Sequence, residues 1–330
     1  MAEKEFTQGI DISTWQDDNS TPQRMDAEKS RDQGVKFVFI KSTERLGIDA
    51  DFIWNWNSFK AAGILRGAYH FARPDVPARD QADFMWSVIK DDPGELPPVL
   101  DLEAPAIGTK SLGLSFVKAF LERLSILAGR PAILYTSNGF WNSIRDSANA
   151  IWALDYPLWI AWPLNISFPV VGIPPVAYTT TVLVPEPWKR KKVPFLIWQY
   201  SWVGGGKLYG AESKGLDLNV FNGSESELLA FANVAEIPDP GQPTDPGTPD
   251  PGQPPAQAGK MIGRVIADAL NVRAGPPNRF GDLAAIVGDP LRKSAIVEIQ
   301  DIGGNSVWVK IGEGRWAAMS VSSGKFIELI

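Results

Sequence analysis

The sequence predicts an α/β protein: an irregular, TIM-like (β/α) barrel followed by a small all-β domain. Three observations predict it. Eight short β-rich runs recur between residues 9 and 221, with helical patterns between the early ones. Those runs are nearly continuous in apolar residues rather than alternating, as strands buried on both faces of a parallel sheet are. A proline-rich stretch at 238–258 then divides the chain, and the remaining 259–330 shows short alternating runs broken by Gly, Pro and Asp.

The eight runs begin with Gly9-Ile-Asp-Ile-Ser13, Phe37–Ser42, Leu65–Phe71 and Pro98–Glu103. Pro131–Ser137, Pro157–Trp162, Phe195–Tyr200 and Leu216–Phe221 complete them. Between the fourth and fifth, residues 111–128 place Val117, Phe120, Leu121, Leu124 and Leu127 on one helical stripe, and Gly129-Arg-Pro131 stops it. Residues 79–90 align Ala82, Met85, Trp86 and Ile89 in the same way, and Trp54 and Trp56 fall in a helical segment as packing residues. After the sixth run the helical pattern fades, and 163–194 reads as a long proline-rich loop. That loop includes the basic run Lys189-Arg-Lys-Lys192, read as solvated.

Composition narrows the function classes. The 330 residues contain no cysteine, which excludes disulfides, thiolate metal sites and cysteine nucleophiles, and a single histidine, His70, cannot build a multi-histidine metal site. No cofactor is expected. A net charge of −6 argues against nucleic acid, and no stretch approaches 18 uninterrupted apolar residues, so no membrane span is expected. Met1–Phe6 is polar and lacks the apolar core of a secretory signal. A monomer is expected.

The segment 238–258 holds Asp-Pro-Gly three times and reads as a semi-rigid spacer between a domain at 1–237 and one at 259–330. Charge divides with it: −5 in the first domain (23 basic, 28 acidic), −3 in the spacer and +2 in the tail (9 basic, 7 acidic).

Chemistry concentrates at the predicted strand ends. In Val99-Leu-Asp-Leu-Glu103 the strand period of two points Asp101 and Glu103 the same way, about 7 Å apart along the chain. Paired, partly buried carboxylates raise each other's cost of ionising, so one stays protonated near neutral pH, as a general acid requires. Strand ends and the loops after them build the mouth of such a barrel. There the sequence places Asp11 and Ser13, Lys41 and Glu44, Tyr69 and His70, then Tyr135, Trp159 and Trp162, Gln199 and Tyr200, and Asp217 and Asn219. An acid-rich mouth lined with aromatics suits glycoside chemistry better than phosphate or hydride transfer. Eleven of the thirteen tryptophans precede residue 237, enough for both core and sugar stacking. Lys41 and Glu44 form either a structural ion pair or a substrate contact, His70 reads as a hydrogen-bonded strand-end residue, and Gly204-Gly-Gly-Lys207 reads as a turn.

These segments, in order, resemble the glycoside hydrolase family 25 muramidases. They are Gly9-Ile-Asp-Ile-Ser-Thr-Trp-Gln16, Phe37-Val-Phe-Ile-Lys-Ser-Thr-Glu44, Arg66-Gly-Ala-Tyr-His-Phe-Ala-Arg73, Pro98–Glu103, Leu158-Trp-Ile-Ala161, Ile197-Trp-Gln-Tyr-Ser201 and Leu216–Phe221. The resemblance implies cleavage of the β-1,4 bond between N-acetylmuramic acid and N-acetylglucosamine in bacterial peptidoglycan. Glu103 would be the general acid/base, Asp101 would orient the substrate acetamido group or tune Glu103, and Asp11 and Asp217 would be the other acids of the floor. Glu44, Tyr69, Tyr135, Trp159, Gln199 and Tyr200 would bind substrate. An enzyme carboxylate and the substrate's own acetamido group both remain open as nucleophile. The proline-rich insert at 163–194 and Ala104-Pro105 depart from the family pattern. The tail resembles a bacterial SH3-type domain through Leu270-Asn-Val-Arg-Ala-Gly-Pro276, Val307–Ile311 and Gly314–Ala318. An extracellular or wall-associated protein, secreted or a phage endolysin, follows from the resemblance. The competing readings are a non-catalytic glycan binder on the same barrel and a chitin-type glycosidase.

Overall fold

A computed structural model describes residues 5–17, 24–164, 172–174 and 180–234, together with strand backbones between 261 and 329. The chain forms two compact units, 1–243 and 244–330, the division falling inside the expected spacer. The spacer itself, and parts of the 163–194 insert, lie outside the described residues.

The first unit is a closed eight-stranded barrel. Its strands are β1 (Thr7–Ile12), β2 (Phe37–Glu44), β4 (Leu65–Phe71), β5 (Val99–Asp101), β6 (Ile133–Ser137), β7 (Leu158–Ala161), β8 (Ile197–Ser201) and β9 (Asp217–Phe221). A short β3 (Gly47–Ile48) extends β2 as a hairpin. All eight lie where the apolar runs predict them, and β1 pairs with both β2 and β9 to close the ring.

The last strand corrects the expectation of an all-parallel sheet. β9 runs antiparallel to both β8 and β1. The described connection from β8 holds a 3₁₀ turn (Gly206–Tyr209) and no α-helix, and without a crossover helix the chain returns in the opposite direction. The mouth therefore receives the beginning of β9, not its end.

Helices α1 (Ala27–Asp32), α2 (Phe52–Ala61), α3 (Ala78–Ile89) and α4 (Leu114–Ala128) cover the first half. In α4 the buried residues are Val117, Phe120, Leu121 and Leu124, and Gly129 ends the helix at φ 68°. In the second half the helices shorten to α5 (Asn138–Ser143) and α6 (Trp188–Lys191), before α7 (Glu225–Ala232) is opened by a Ser224/Glu227 capping box. The basic run is thus part of a single helical turn, not loop, because Trp188 anchors it in the core while Lys189–Lys192 stay exposed. Trp56 packs as expected, but Trp54 is exposed.

Strand alternation separates two cores. Ile10, Val38, Ile40, Leu100, Leu134, Ile160, Trp198 and Leu218 face outward to the helices. Phe37, Phe39, Leu65, Val99, Ile133, Trp159, Ile197 and Phe221 fill the interior. Glycine makes this filling possible: a Cβ on Gly67 would lie 2.2 Å from the Phe39 ring, and one on Gly9 2.3 Å from Phe37. The interior below the mouth is a packed plug of rings, so any ligand is confined to the top layer.

In the second unit the described strands pair antiparallel. Met261–Val265 lies between Ile296–Ile299 and Ile327–Leu329, and Arg315–Val321 pairs with Val307–Gly312 and Val272–Arg273. This agrees with the all-β pattern read from the sequence.

Candidate active site

At the mouth lies a cleft of about 410 Å³. Asp11, Lys41, Tyr69, Asp101, Tyr135, Trp159, Gln199 and Asp217 all line it, each inward-facing on its own strand. Glu44 and Glu103 complete the predicted set. Tyr200 is the exception. One residue beyond inward-facing Gln199, it points outward and is fully buried in the outer core, its hydroxyl donating to the Gly172 carbonyl at 2.5 Å. It is a packing residue, and its assignment to the substrate is corrected by the strand period.

Glu103 lies two residues past the end of β5, but the chain stays in register there. Leu102 N–H donates to the Tyr135 carbonyl at 3.0 Å, and the Leu102 side chain is buried in the outer core. Asp101 and Glu103 therefore keep the same face, as the alternation requires. Their environments differ. Asp101 is buried, with one carboxyl oxygen lacking a hydrogen-bond partner among the described residues, whereas Glu103 is exposed to the cleft. Burial, then the charges of Glu103 and Asp11, push Asp101 well above the usual carboxylate range. Loss of hydration against the cleft walls also raises Glu103, opposed by the hydrogen bond donated by Tyr135.

Asp11 and Asp217 are directly opposed in the β1–β9 pair. The amides of Gln199 and Asn219 donate to one Asp11 oxygen at 2.9 and 2.7 Å. Burial raises Asp11 to about 6 against those two donors. Burial and the charges of Asp11 and Glu103 push Asp217 well up. Asp11 is eased by its two amide donors, so Asp217 is the acid that burial and repulsion drive further toward its neutral form. The floor thus holds side by side carboxyls that differ in how easily they ionise.

A chain of hydrogen bonds ties these groups together. The Tyr135 hydroxyl lies 2.9 Å from Gln199 Oε1 and 3.3 Å from Glu103 Oε2. Gln199 turns its amide nitrogen to Asp11, so its oxygen faces Tyr135. With one proton on Tyr135 and the shorter contact to Gln199, the restraint on Glu103 is weak. Trp159 lies on the floor, nearly buried, its indole N–H donating to Asn219 at 2.9 Å and its rings packed on Phe39 and Tyr135.

Lys41 and Glu44 do pair, at 2.7 Å, and both line the cleft. His70 faces away, buried between Thr43 and Gln81 at 2.7 and 2.8 Å and lowered to about 4 by burial, so it stays neutral outside the site. Sequence reasoning singled out neither Trp15 nor Trp202, the most exposed aromatics of the cleft at 79% and 61%, nor Phe71 and Arg73. The available signal was position: Trp15 and Trp202 follow β1 and β8 within three residues.

Paired acids in unequal environments at an aromatic barrel mouth are an arrangement suited to a glycoside hydrolase. Comparison makes the class specific. The profile of Glycosyl hydrolases family 25 matches residues 10–202, and the chain belongs to that family. It is 33% identical over 247 residues to lysozyme M1 of Streptomyces globisporus, covering 70% of this chain and 73% of that one. It is 31% identical over 181 residues to an N,O-diacetylmuramidase of Arthroderma benhamiae, covering 51% and 73%. The crystal structure of the Streptomyces coelicolor lysozyme superposes with a TM-score of 0.53 at 30% identity, over 70% of this chain and 99% of that one.

Among the described residues the Tyr135 hydroxyl is the group whose hydrogen bond holds Glu103 down. Tyr135→Phe should therefore raise the Glu103 pKa and move the alkaline limb of the pH–kcat/KM profile upward, by up to about one pH unit. A downward shift would show that Tyr135 instead accepts a proton from neutral Glu103.

Proposed function

We propose that this glycoside hydrolase is a peptidoglycan N-acetylmuramidase in which Glu103 is the general acid/base. The observation that carries the reading is the confinement of Asp11, Asp101, Glu103 and Asp217 in one small cleft, with Glu103 alone exposed and its affinity for protons raised. Glu103 then protonates the leaving oxygen. Buried Asp101 and the Asp11–Asp217 pair face the cationic character that develops at the anomeric carbon. Asp101 is suited to holding an acetamido N–H, which leaves substrate-assisted attack as compatible with this site as attack by a carboxylate. Trp15 and Trp202 offer flat apolar faces for neighbouring sugar rings.

A purely glycan-binding protein has no use for four mutually destabilising carboxyls, since burying them costs stability that binding alone does not require. A chitin-type glycosidase is disfavoured because its longer acidic run is absent from the Asp101–Glu103 strand.

Peptidoglycan as substrate implies action at the bacterial wall, as a secreted enzyme or an endolysin. The tail is assigned as an SH3-like wall-binding domain on its sequence motifs and its antiparallel strands. A spacer of 238–258, extended at about 3.1 Å per residue, would reach roughly 65 Å, so that the tail holds the wall while the barrel samples nearby bonds.

Glu103→Gln is nearly isosteric and removes only the acid. It should lower lysis of wall suspensions by about 10²–10⁴-fold or more with glycan binding retained; near-native turnover would remove Glu103 from the mechanism. Truncation after residue 237 should leave cleavage of small soluble fragments nearly unchanged and weaken activity on intact walls, while the isolated tail sediments with purified wall. Undiminished wall lysis together with a tail that stays in the supernatant would assign the tail a structural role.

A further inference from the structure

The acidic cleft carries a cationic corner that the hydrolysis of a neutral glycan does not use. Lys41 and Arg73 both line it. One carboxylate holds them: Lys41 Nζ lies 2.7 Å from one Glu44 oxygen and Arg73 Nε 2.7 Å from the other. Arg45, 3.6 Å from Glu44, is taken up by Asp75 at 2.8 Å. Lys41 is also within electrostatic reach of Asp49 and Asp101, so of the two cations in the cleft it is the more fully compensated.

Arg73 is the member with capacity to spare. Its guanidinium stacks over Phe71, 4.6 Å from the ring centroid, with Lys41 5.2 Å from the same ring. Only Nε is engaged. Among the described residues no hydrogen bond comes from its two terminal nitrogens, and the side chain is 24% exposed. A stacked, half-satisfied guanidinium is a preorganised fork for a carboxylate.

Its place in the ring is informative. Arg73 follows β4, which lies between β5, the strand that leads to Glu103, and β2, which carries Lys41. A charge there follows the strand next to the one that leads to the acid. Muramic acid differs from glucosamine by a lactyl ether on C3, two ring carbons from the anomeric carbon, so a sugar cut at its own C1 carries that group close to the acid. The lactyl group ends in a carboxyl, which is free or joined to a peptide bearing further carboxylates.

We propose that Arg73, assisted by Lys41 and positioned by Glu44, binds a carboxylate of the muramyl half of the substrate and so selects peptidoglycan over uncharged β-1,4 glycans. Glu44 then acts through the two cations rather than on the sugar. This inference rests on the muramidase reading.

The test uses the full chain, wild type, Arg73→Gln and Arg73→Lys, on three soluble strands: stem-peptide-bearing, peptide-free with free lactyl carboxylates, and peptide-free with those carboxylates capped as methylamides. Arg73→Gln should raise KM about 10- to 100-fold on anionic strands, the loss of a charge-assisted contact, with kcat within about 3-fold. Arg73→Lys should recover part of that loss, which also controls for folding. On capped strands wild type and Arg73→Gln should behave alike. A defect on free-lactyl strands identifies the lactyl carboxylate; one confined to peptide-bearing strands identifies the peptide. Equal losses on capped and anionic strands, or no loss on any, would overturn the proposal. Failure of the wild type to cut any muramyl strand would instead overturn the muramidase reading, and this inference with it.

Discussion

Asp11 and Asp217 face each other across the strand pair that closes the barrel, and the chemistry of the mouth follows from that forced proximity. Carboxyls brought together there raise each other's cost of ionising, so burial and mutual repulsion push both upward. Asp11 then draws in the amides of Gln199 and Asn219. Gln199 in turn orients Tyr135, and Asn219 holds the Trp159 indole. The hydrogen-bond order of the floor thus grows from one register match between β1 and β9. It also requires β9 to run antiparallel, since that direction brings Asp217 to the top of the barrel.

Below the mouth the constraint is steric. Phe37, Phe39 and Trp159 fill the interior because Gly9 and Gly67 leave room for their rings. The plug keeps the carboxyl cluster in low dielectric on one side while the cleft stays open on the other. Asp101 with its unsatisfied oxygen and exposed Glu103 sit at opposite ends of that gradient. Two acids one residue apart can therefore have different protonation behaviour.

Much of this was legible in the sequence. The eight strands, the helical stripes of α3 and α4 and the shared face of Asp101 and Glu103 all follow from periodicity and from Gly/Pro punctuation. Strand direction was not legible, because a continuous apolar run carries no sign. Asp217 therefore reached the mouth for a different reason than strand-end reasoning supplied. Tyr200 illustrates the opposite case: the period of two that pointed Gln199 inward pointed Tyr200 outward. The Arg73 corner was hidden because its meaning depends on Glu44, 29 residues away in sequence and on another strand. Trp15 and Trp202 were visible as tryptophans but not as exposed ones, since exposure is settled by loops rather than by pattern.

The central claim is that this acid cleft cuts the glycan on the reducing side of muramic acid. Borohydride reduction of a complete digest of purified peptidoglycan, followed by acid hydrolysis and amino-sugar analysis, reads the new ends directly. The account predicts that muramic acid is converted to its alcohol in step with lysis and that glucosamine is not. New glucosaminitol ends without muramicitol would contradict it.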